Sequence, residues 1–374
     1  MKRHGFFQLS QDAVTKLAEN FETPLLVLSL DQIEKNYCFL KTHLPKVRLH
    51  YAMKANPAQE IIQVFSELGL SFDVASSGEM RQLDQAGISG DRMIYANPVK
   101  TTEGLLTARE LKVKRMTFDS MMEIDKIKLG QPKAEVLLRI QIENSDALVD
   151  LNSKFGVHPE EAPQLWRAAK EKGLDMAGLC FHVGSQAETT EAYKRALLTC
   201  RTLFDQAEEE GISFRILDIG GGFPISKKDF TPDYESYFGD INSLLERYFP
   251  KTEICAEPGR FLCGEAGTII TSVIGATQRR GMAFYTLDEG LYGAFSGKIF
   301  DHWDFVPRFS TEGEMYPSVL AGPSCDSIDI VVDQILLPPL SIGDLLIFDI
   351  TGAYSYASAG SFNGFSKIRV ALDE

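Results

Sequence analysis

Apolar positions along the chain change their spacing near residue 260. Between residues 31 and 260, short runs dense in Val, Ile, Leu, Phe and Tyr alternate with longer stretches of helical period. The runs are VRLHYAMK (47–54), LSFDVAS (70–76), RMIYANP (92–98), RMTFDS (115–120), EVLLRIQI (135–142), MAGLCFHVGS (176–185), FRILDIGG (214–221) and TEICAEPG (252–259). Each closes on a polar, Gly or Pro signal, as strands do. Between them, AQEIIQVFSELG puts Ile61, Ile62, Phe65 and Leu68 on one helical face and stops at Gly69. EAYKRALLTCRTLFDQAEEEG reads as a second such helix. From residue 262 the pattern is different: GTIITSVIGATQ, MAFYTLDEG, SVLAGPSCDSIDIVV and DLLIFDITGAYS are strands parted by Gly, Pro and Asp turns. PLLVLSL (24–30) is a further strand, which its pattern alone assigns to neither region.

Eight strand–helix units predict an α/β fold, either a closed (β/α)8 TIM barrel or an open doubly wound sheet. The position of the polar residues favours the barrel. Lys54, Asp73, Asn97, Asp119, Arg139, His182, Gly220 to Gly222 and Glu257 all fall at C-terminal ends of the runs. In a barrel those ends share one rim, where active sites are built, whereas the edges of an open sheet lie too far apart. The all-β segment after residue 261 predicts a second domain.

Composition narrows the function. Hydrophobic residues make up 44% and charged residues 24% of 374 residues, enough to bury large cores without staples. The formal net charge of −14 argues against nucleic acid or an anionic membrane as partner and is compatible with a cationic small molecule. The six cysteines (38, 180, 200, 255, 263 and 325) include no CxxC pair, so reduced thiols are expected, with no disulfide framework and no metal site. The opening MKRHGFFQLSQDAV has no apolar core of a signal peptide, and no run approaches a membrane span; a cytoplasmic protein is expected.

The chemistry is concentrated on the rim. Lys54 follows an apolar strand, where burial lowers an amine's pKa and a neutral lysine forms Schiff bases. DIGGGFP (218–224) offers backbone N–H groups to an anion, at the place where barrels bind phosphate. Glu257, in EPGR, can keep a pyridine nitrogen protonated, Arg260 can face a phosphate, and His182 can stack on a ring. Singly, each has an ordinary structural reading; on successive rim positions they describe a site for pyridoxal 5′-phosphate. In the β segment, Cys325 beside Asp326 is a candidate proton donor, and Asp288 with Glu289 a candidate counter-ion for a cationic substrate.

YAMKANP, FDVASSGEM, HVGSQ, DIGGGFP, AEPGR, GPSCDSID and GAYSYASAGSFNGF together resemble the motif series of the fold-type III pyridoxal-phosphate-dependent decarboxylases of basic amino acids. That family includes the ornithine/lysine decarboxylases and, more distantly, diaminopimelate and arginine decarboxylases. The motifs run in family order over nearly the whole chain. The resemblance implies an alanine-racemase-like barrel over 31–261, with residues 1–30 and 262–374 forming the β domain, in a head-to-tail homodimer with shared active sites. It implies a cofactor Schiff base on Lys54, Glu257 at the pyridine nitrogen and His182 on the ring. Ser185, Gly220, Gly221, Gly222, Gly259, Arg260 and Tyr354 would hold the phosphate, and Asp73 and Arg139 would line its surroundings. Cys325 of the partner subunit would protonate the product carbon, while Asp326 and Asp288 would bind the distal ammonium.

Within the family, GPSCDSID and TLDEGLYGAF look like the ornithine branch, whereas diaminopimelate decarboxylases resemble GPxCESGD. The implied reaction is decarboxylation of L-ornithine to putrescine, with L-lysine to cadaverine as a second substrate. The rivals are a diaminopimelate decarboxylase and a non-catalytic homologue that binds a regulatory protein.

Overall fold

The computed structural model describes residues 5–142, 147–149 (as strand only), 154–227 and 229–373. The chain divides into two compact units, one of Tyr37–Lys54 and Gln59–Phe261, the other of the chain up to Asn36, Ala55–Ala58 and the chain from Leu262 onward.

The first unit is a closed parallel barrel of eight strands. They are β1 (Val47–Ala52), β2 (Ser71–Val74), β3 (Met93–Tyr95), β4 (Arg115–Phe118), β5 (Glu135–Arg139), β6 (Asp175–Cys180), β7 (Ile216–Asp218) and β8 (Glu253–Ala256). Seven lie within the runs read from the sequence, and β6 begins one residue before its run. The barrel closes where β8 pairs with β1, Cys255 opposite Arg48. Its inside is filled by small and medium apolar groups: Ile94, Ala96, Leu137, Ala177, Cys180, Ile216 and Cys255. Strands buried on both faces read as near-continuous apolar runs, which is why they were visible in the sequence.

The N-terminal rim of the barrel is laced with charge. Arg115 meets Glu253 at 3.0 Å and Glu135 at 3.7 Å, and Arg215 meets Asp175 at 2.6 Å. His50 sits inside, 2% exposed, and burial, with Arg48 and Arg115 nearby, pushes it down from 6.5 to about 3. An unfolded chain takes up this proton below pH 6.5, while the folded chain refuses it until about pH 3. Its contribution is therefore present above pH 6.5 and declines as pH falls. We expect the loss to approach about 1.4 kcal/mol per pH unit between pH 6 and 4, and His50→Gln to remove that part of the slope. Urea unfolding of both proteins across that range checks it; equal slopes would refute it.

The second unit is an eight-stranded, mostly antiparallel sheet. Its strand order is Pro307–Arg308, Leu345–Phe348, Gly267–Arg279, Met282–Leu287, Tyr316–Ala321 and Ile330–Leu337. Leu25–Leu28 joins it, antiparallel to Gly267–Arg279 and parallel to Arg369–Leu372. One face packs Leu25, Val27, Ile270 and Ile347 against Phe7, Leu9 and Val14, the last from a helix Gln11–Asn20 capped by Ser10. The unit also takes residues 31–36, which the sequence boundary had placed in the barrel. The reason is local: Asn36 donates to the Leu262 carbonyl at 3.1 Å, and the Ser29 N–H to Ala266 at 2.9 Å.

Candidate active site

The C-terminal rim of the barrel gathers most of the residues singled out above. Lys54 lies two residues past β1, in a short 3-10 turn Met53–Ala55. Its ammonium is 3.1 Å from Asp73 Oδ2 on β2. The Lys54 side chain is 47% exposed and that of Asp73 only 3%. The burial expected for Lys54 is thus absent, and an ion pair with a buried carboxylate stands in its place. Arg139 ends β5 with its Nε sealed from solvent and, among the described residues, without a hydrogen-bond partner. Asp119, past β4, is turned to structural use, accepting the Gly156 N–H at 2.9 Å.

His182 follows β6, and its Nδ1 accepts the Gly184 N–H at 2.9 Å. That bond leaves the imidazole proton on Nε2. Burial, then Arg139 and Lys54, hold the ring well below its ordinary pKa, so it is a flat, neutral surface at neutral pH. Ser185 opens the short strand Ser185–Ala187 just beyond it.

The glycine turn after β7 is built by close approach. Gly220 (φ +67°) and Gly222 (φ +100°) occupy the left-handed region, and a Cβ on Gly222 would stand 2.1 Å from the Gly184 carbonyl. Phe223 anchors the turn by stacking on Tyr193 at 5.7 Å, and the Tyr193 hydroxyl donates to the Gly221 carbonyl at 2.8 Å. Glu257 comes one residue after β8, followed by buried Gly259 and by Arg260, which opens a helix of four residues. Burial, and then the charges of Asp218 and Asp73, raise Glu257 well above the carboxylate range.

Two carboxyls here escaped the sequence reading. Glu79 caps its own helix: Ser76 Oγ accepts the Glu79 N–H at 3.3 Å, and Glu79 Oε2 accepts the Ala75 N–H at 2.5 Å. Burial, with Asp73 near, pushes it up to about 7. Asp218 is fully buried at the end of β7. The capping pattern S-x-x-E at 76–79 was a usable signal for Glu79; Asp218 was hidden by the glycines beside it.

The remaining candidates belong to the β unit. Cys325 is exposed, and its N–H donates to Asn363 Oδ1 at 2.9 Å. Asp326 accepts the Tyr292 hydroxyl at 2.5 Å, which holds it below the ordinary range, and Tyr292 stacks on Phe362 at 4.2 Å. Tyr354 has φ +56° and donates its N–H to the Ala55 carbonyl at 2.8 Å. Asp288 is differently employed: its oxygens accept the Ser272 N–H at 3.0 Å and the Ser272 hydroxyl at 2.9 Å. It ties two strands together and has both oxygens engaged. Its neighbour Glu289 is buried and pushed up to about 7 by that burial.

The donor set at the barrel mouth fits pyridoxal phosphate. A primary amine can take its aldehyde, a flat uncharged ring can lie against its face, and a carboxyl can meet its ring nitrogen. A turn that only glycine can form can receive its phosphate.

Comparison with known proteins agrees with this geometry. Residues 30–264 match the family described as pyridoxal-dependent decarboxylase, pyridoxal binding domain. A lysine/ornithine decarboxylase of Selenomonas ruminantium is 48% identical over 360 residues, covering 96% of this chain and 92% of that protein. The crystal structure of lysine decarboxylase from the same organism superposes with a TM-score of 0.94 over 98% of this chain and 97% of that one. Lysine/ornithine decarboxylase from Vibrio vulnificus, complexed with putrescine, is 36% identical with a TM-score of 0.91, covering 98% and 99%. Antizyme inhibitor 2 of Xenopus laevis is 35% identical, covering 90% of this chain and 78% of that protein. No helix among the described residues is long and apolar enough to cross a membrane.

Proposed function

The chain belongs to the pyridoxal-dependent decarboxylases, and from that premise we propose that it converts L-ornithine to putrescine and also accepts L-lysine, giving cadaverine. It is a pyridoxal-phosphate-dependent decarboxylase of basic amino acids; the choice among them is the proposal. The observation that carries it is the rim of the barrel, where Lys54, Asp73, His182 and Glu257 meet a glycine turn.

The cofactor, when bound, supplies a conjugated ring that takes up the electron pair left behind by departing carbon dioxide. The protein's part is to bind, orient and move protons. Lys54 supplies the amine for the covalent link, and Asp73 holds that amine in place. Gly220 to Gly222, Ser185, Gly259 and Arg260 receive the phosphate. His182, neutral and fixed by Gly184, covers one ring face without adding charge. Glu257 faces the ring nitrogen, and Arg139 lines the surroundings of the cofactor. The site is completed in a homodimer, in which Asp326 of the partner subunit binds the distal ammonium. Cys325 of the partner subunit gives a proton to the carbon that has lost carbon dioxide. The balance is one carboxyl lost, one proton gained and a diamine released.

Asp326, already holding the Tyr292 hydroxyl, is better placed than Asp288 for an ammonium, because Asp288 has both oxygens committed to Ser272. A bare ammonium suits one carboxylate on an exposed loop. Ornithine and lysine differ by one methylene, worth about 1–3 kcal/mol in a pocket, so activity on both is expected.

The deciding experiment is a panel of L-ornithine, L-lysine, L-arginine and meso-diaminopimelate, each given separately to the protein with pyridoxal phosphate, with products identified by mass. Putrescine or cadaverine as main product supports the reading. Lysine formed from diaminopimelate would overturn the substrate assignment, no product despite bound cofactor would point to an amino acid outside the panel, and no product with no cofactor bound would favour the non-catalytic rival. Cys325→Ala is expected to slow turnover about 10²- to 10³-fold with cofactor affinity unchanged, as loss of a general acid does. Unchanged turnover would remove Cys325 from that role.

A further inference from the structure

Asp218 is a buried titratable group at the barrel mouth that the scheme above leaves unused. Its Oδ1 accepts the Gly220 N–H at 2.9 Å, and the Gly220 carbonyl accepts the Glu257 N–H at 2.7 Å. One carboxyl thus reaches, through a single glycine, the backbone of the residue that faces the ring nitrogen. Its Oδ2 is sealed from solvent, and among the described residues no N–H or hydroxyl reaches it. The Glu257 carboxyl lies close enough to act on that of Asp218. Two ionised carboxylates are acceptors only, so a hydrogen bond between them requires a proton.

Resting on the reading of Glu257 as partner of the ring nitrogen, we propose that Asp218 is a positioning residue that keeps one proton between its own carboxyl and that of Glu257. The shared proton fixes one oxygen of Glu257 and so sets the plane in which the carboxyl meets the ring. The surroundings favour retention. Asp218 faces Asp73 on β2, Arg115 on β4, Tyr193 and the thiols of Cys180 and Cys255. Glu257 faces Asp73, Lys54, Arg139 and Cys180. Arg115 is already engaged by Glu253. With one proton shared, the pair carries a single negative charge, and together with Asp73 it balances Lys54 and Arg139. Burial pushes Asp218 up to about 6 and Glu257 well above its ordinary range, the direction a retained proton needs.

The proposal separates two substitutions that a merely structural role would not. In Asp218→Asn, the amide oxygen can accept the Gly220 N–H while the amide nitrogen donates to Glu257, replacing the shared proton permanently. Asp218→Ala removes both. The infrared difference spectrum of the cofactor-free proteins at pH 7, wild type minus Asp218→Asn, should show the carbonyl band of one buried, protonated carboxyl, because Glu79 and Glu289, each pushed up to about 7, contribute to both proteins alike and cancel. Pyridoxal phosphate should bind Asp218→Asn within about threefold of wild type and Asp218→Ala about tenfold or more weakly, as loss of one hydrogen bond to a charged group implies. Absence of that difference band overturns the proposal and requires no folded alanine variant. Wild-type affinity in Asp218→Ala overturns it as well. Glu257→Gln that binds and turns over like wild type would instead sink the reading of Glu257, whatever the infrared band shows.

Discussion

Lys54→Ala is expected to lose decarboxylation by at least about 10³-fold, with the cofactor no longer trapped on the protein by borohydride. The fold should survive. Lys54 is 47% exposed, so solvent screens its pair with Asp73, and its removal should lower stability by no more than about 1 kcal/mol. The experiment needs turnover, borohydride trapping followed by mass spectrometry of the peptides, and a melting curve on the same preparation. A variant that is inactive only because it has unfolded would show itself in the melt. Retained activity in a folded variant would assign the amine to another residue and break the scheme at its first step.

Gly222→Ala should damage the same site from the side of the backbone. At φ +100°, with the Gly184 carbonyl 2.1 Å from the Cβ position, neither rotation nor a flexible neighbour can relieve the clash. The turn must shift, and with it the Gly222 carbonyl that accepts the Ala187 N–H at 2.9 Å. A destabilisation of about 2–4 kcal/mol and a loss of cofactor affinity of about 10²-fold are expected. Gly239→Ala supplies the contrast. That glycine lies inside helix Tyr234–Tyr248 with nothing within 4 Å of its Cβ position, so alanine there should stabilise by about 0.5–1 kcal/mol. Paired titrations with pyridoxal phosphate and urea melts test both. Equal effects at the two positions would mean that the turn does not depend on its backbone conformation.

The barrel was readable in the sequence because its strands are buried on both faces and its chemistry is confined to strand ends. Lys54, His182 and Glu257 stand one or two residues past the last strand position, where side chains turn toward the mouth. The β unit was less readable. Helix Gln11–Asn20 was passed over although Ser10 caps it, because a single amphipathic helix of ten residues has only one buried position, Val14, to mark it. Asp288 looked like a substrate group because an acidic turn invites that reading; its bonds to Ser272 run across a hairpin, and only the pairing of the two strands shows them. Asp218 was hidden for the opposite reason. It lies within a conspicuous motif, and its importance comes from Glu257, which the pairing of β7 with β8 brings near.

The order of strands in the β unit bears on how the protein is made. Leu25–Leu28 leaves the ribosome before every barrel strand, yet one of its two sheet neighbours, Arg369–Leu372, follows them all. The other, Gly267–Arg279, is translated only after all eight barrel strands. An apolar tetrapeptide therefore waits through the synthesis of the whole barrel with its backbone hydrogen bonds unmade. Meanwhile the barrel already has every strand it needs to close. Nascent chains released at residue 270 should accordingly carry a protease-resistant barrel and a cleavable N-terminal arm, and an early strand held open so long is a natural point of contact for a holding chaperone.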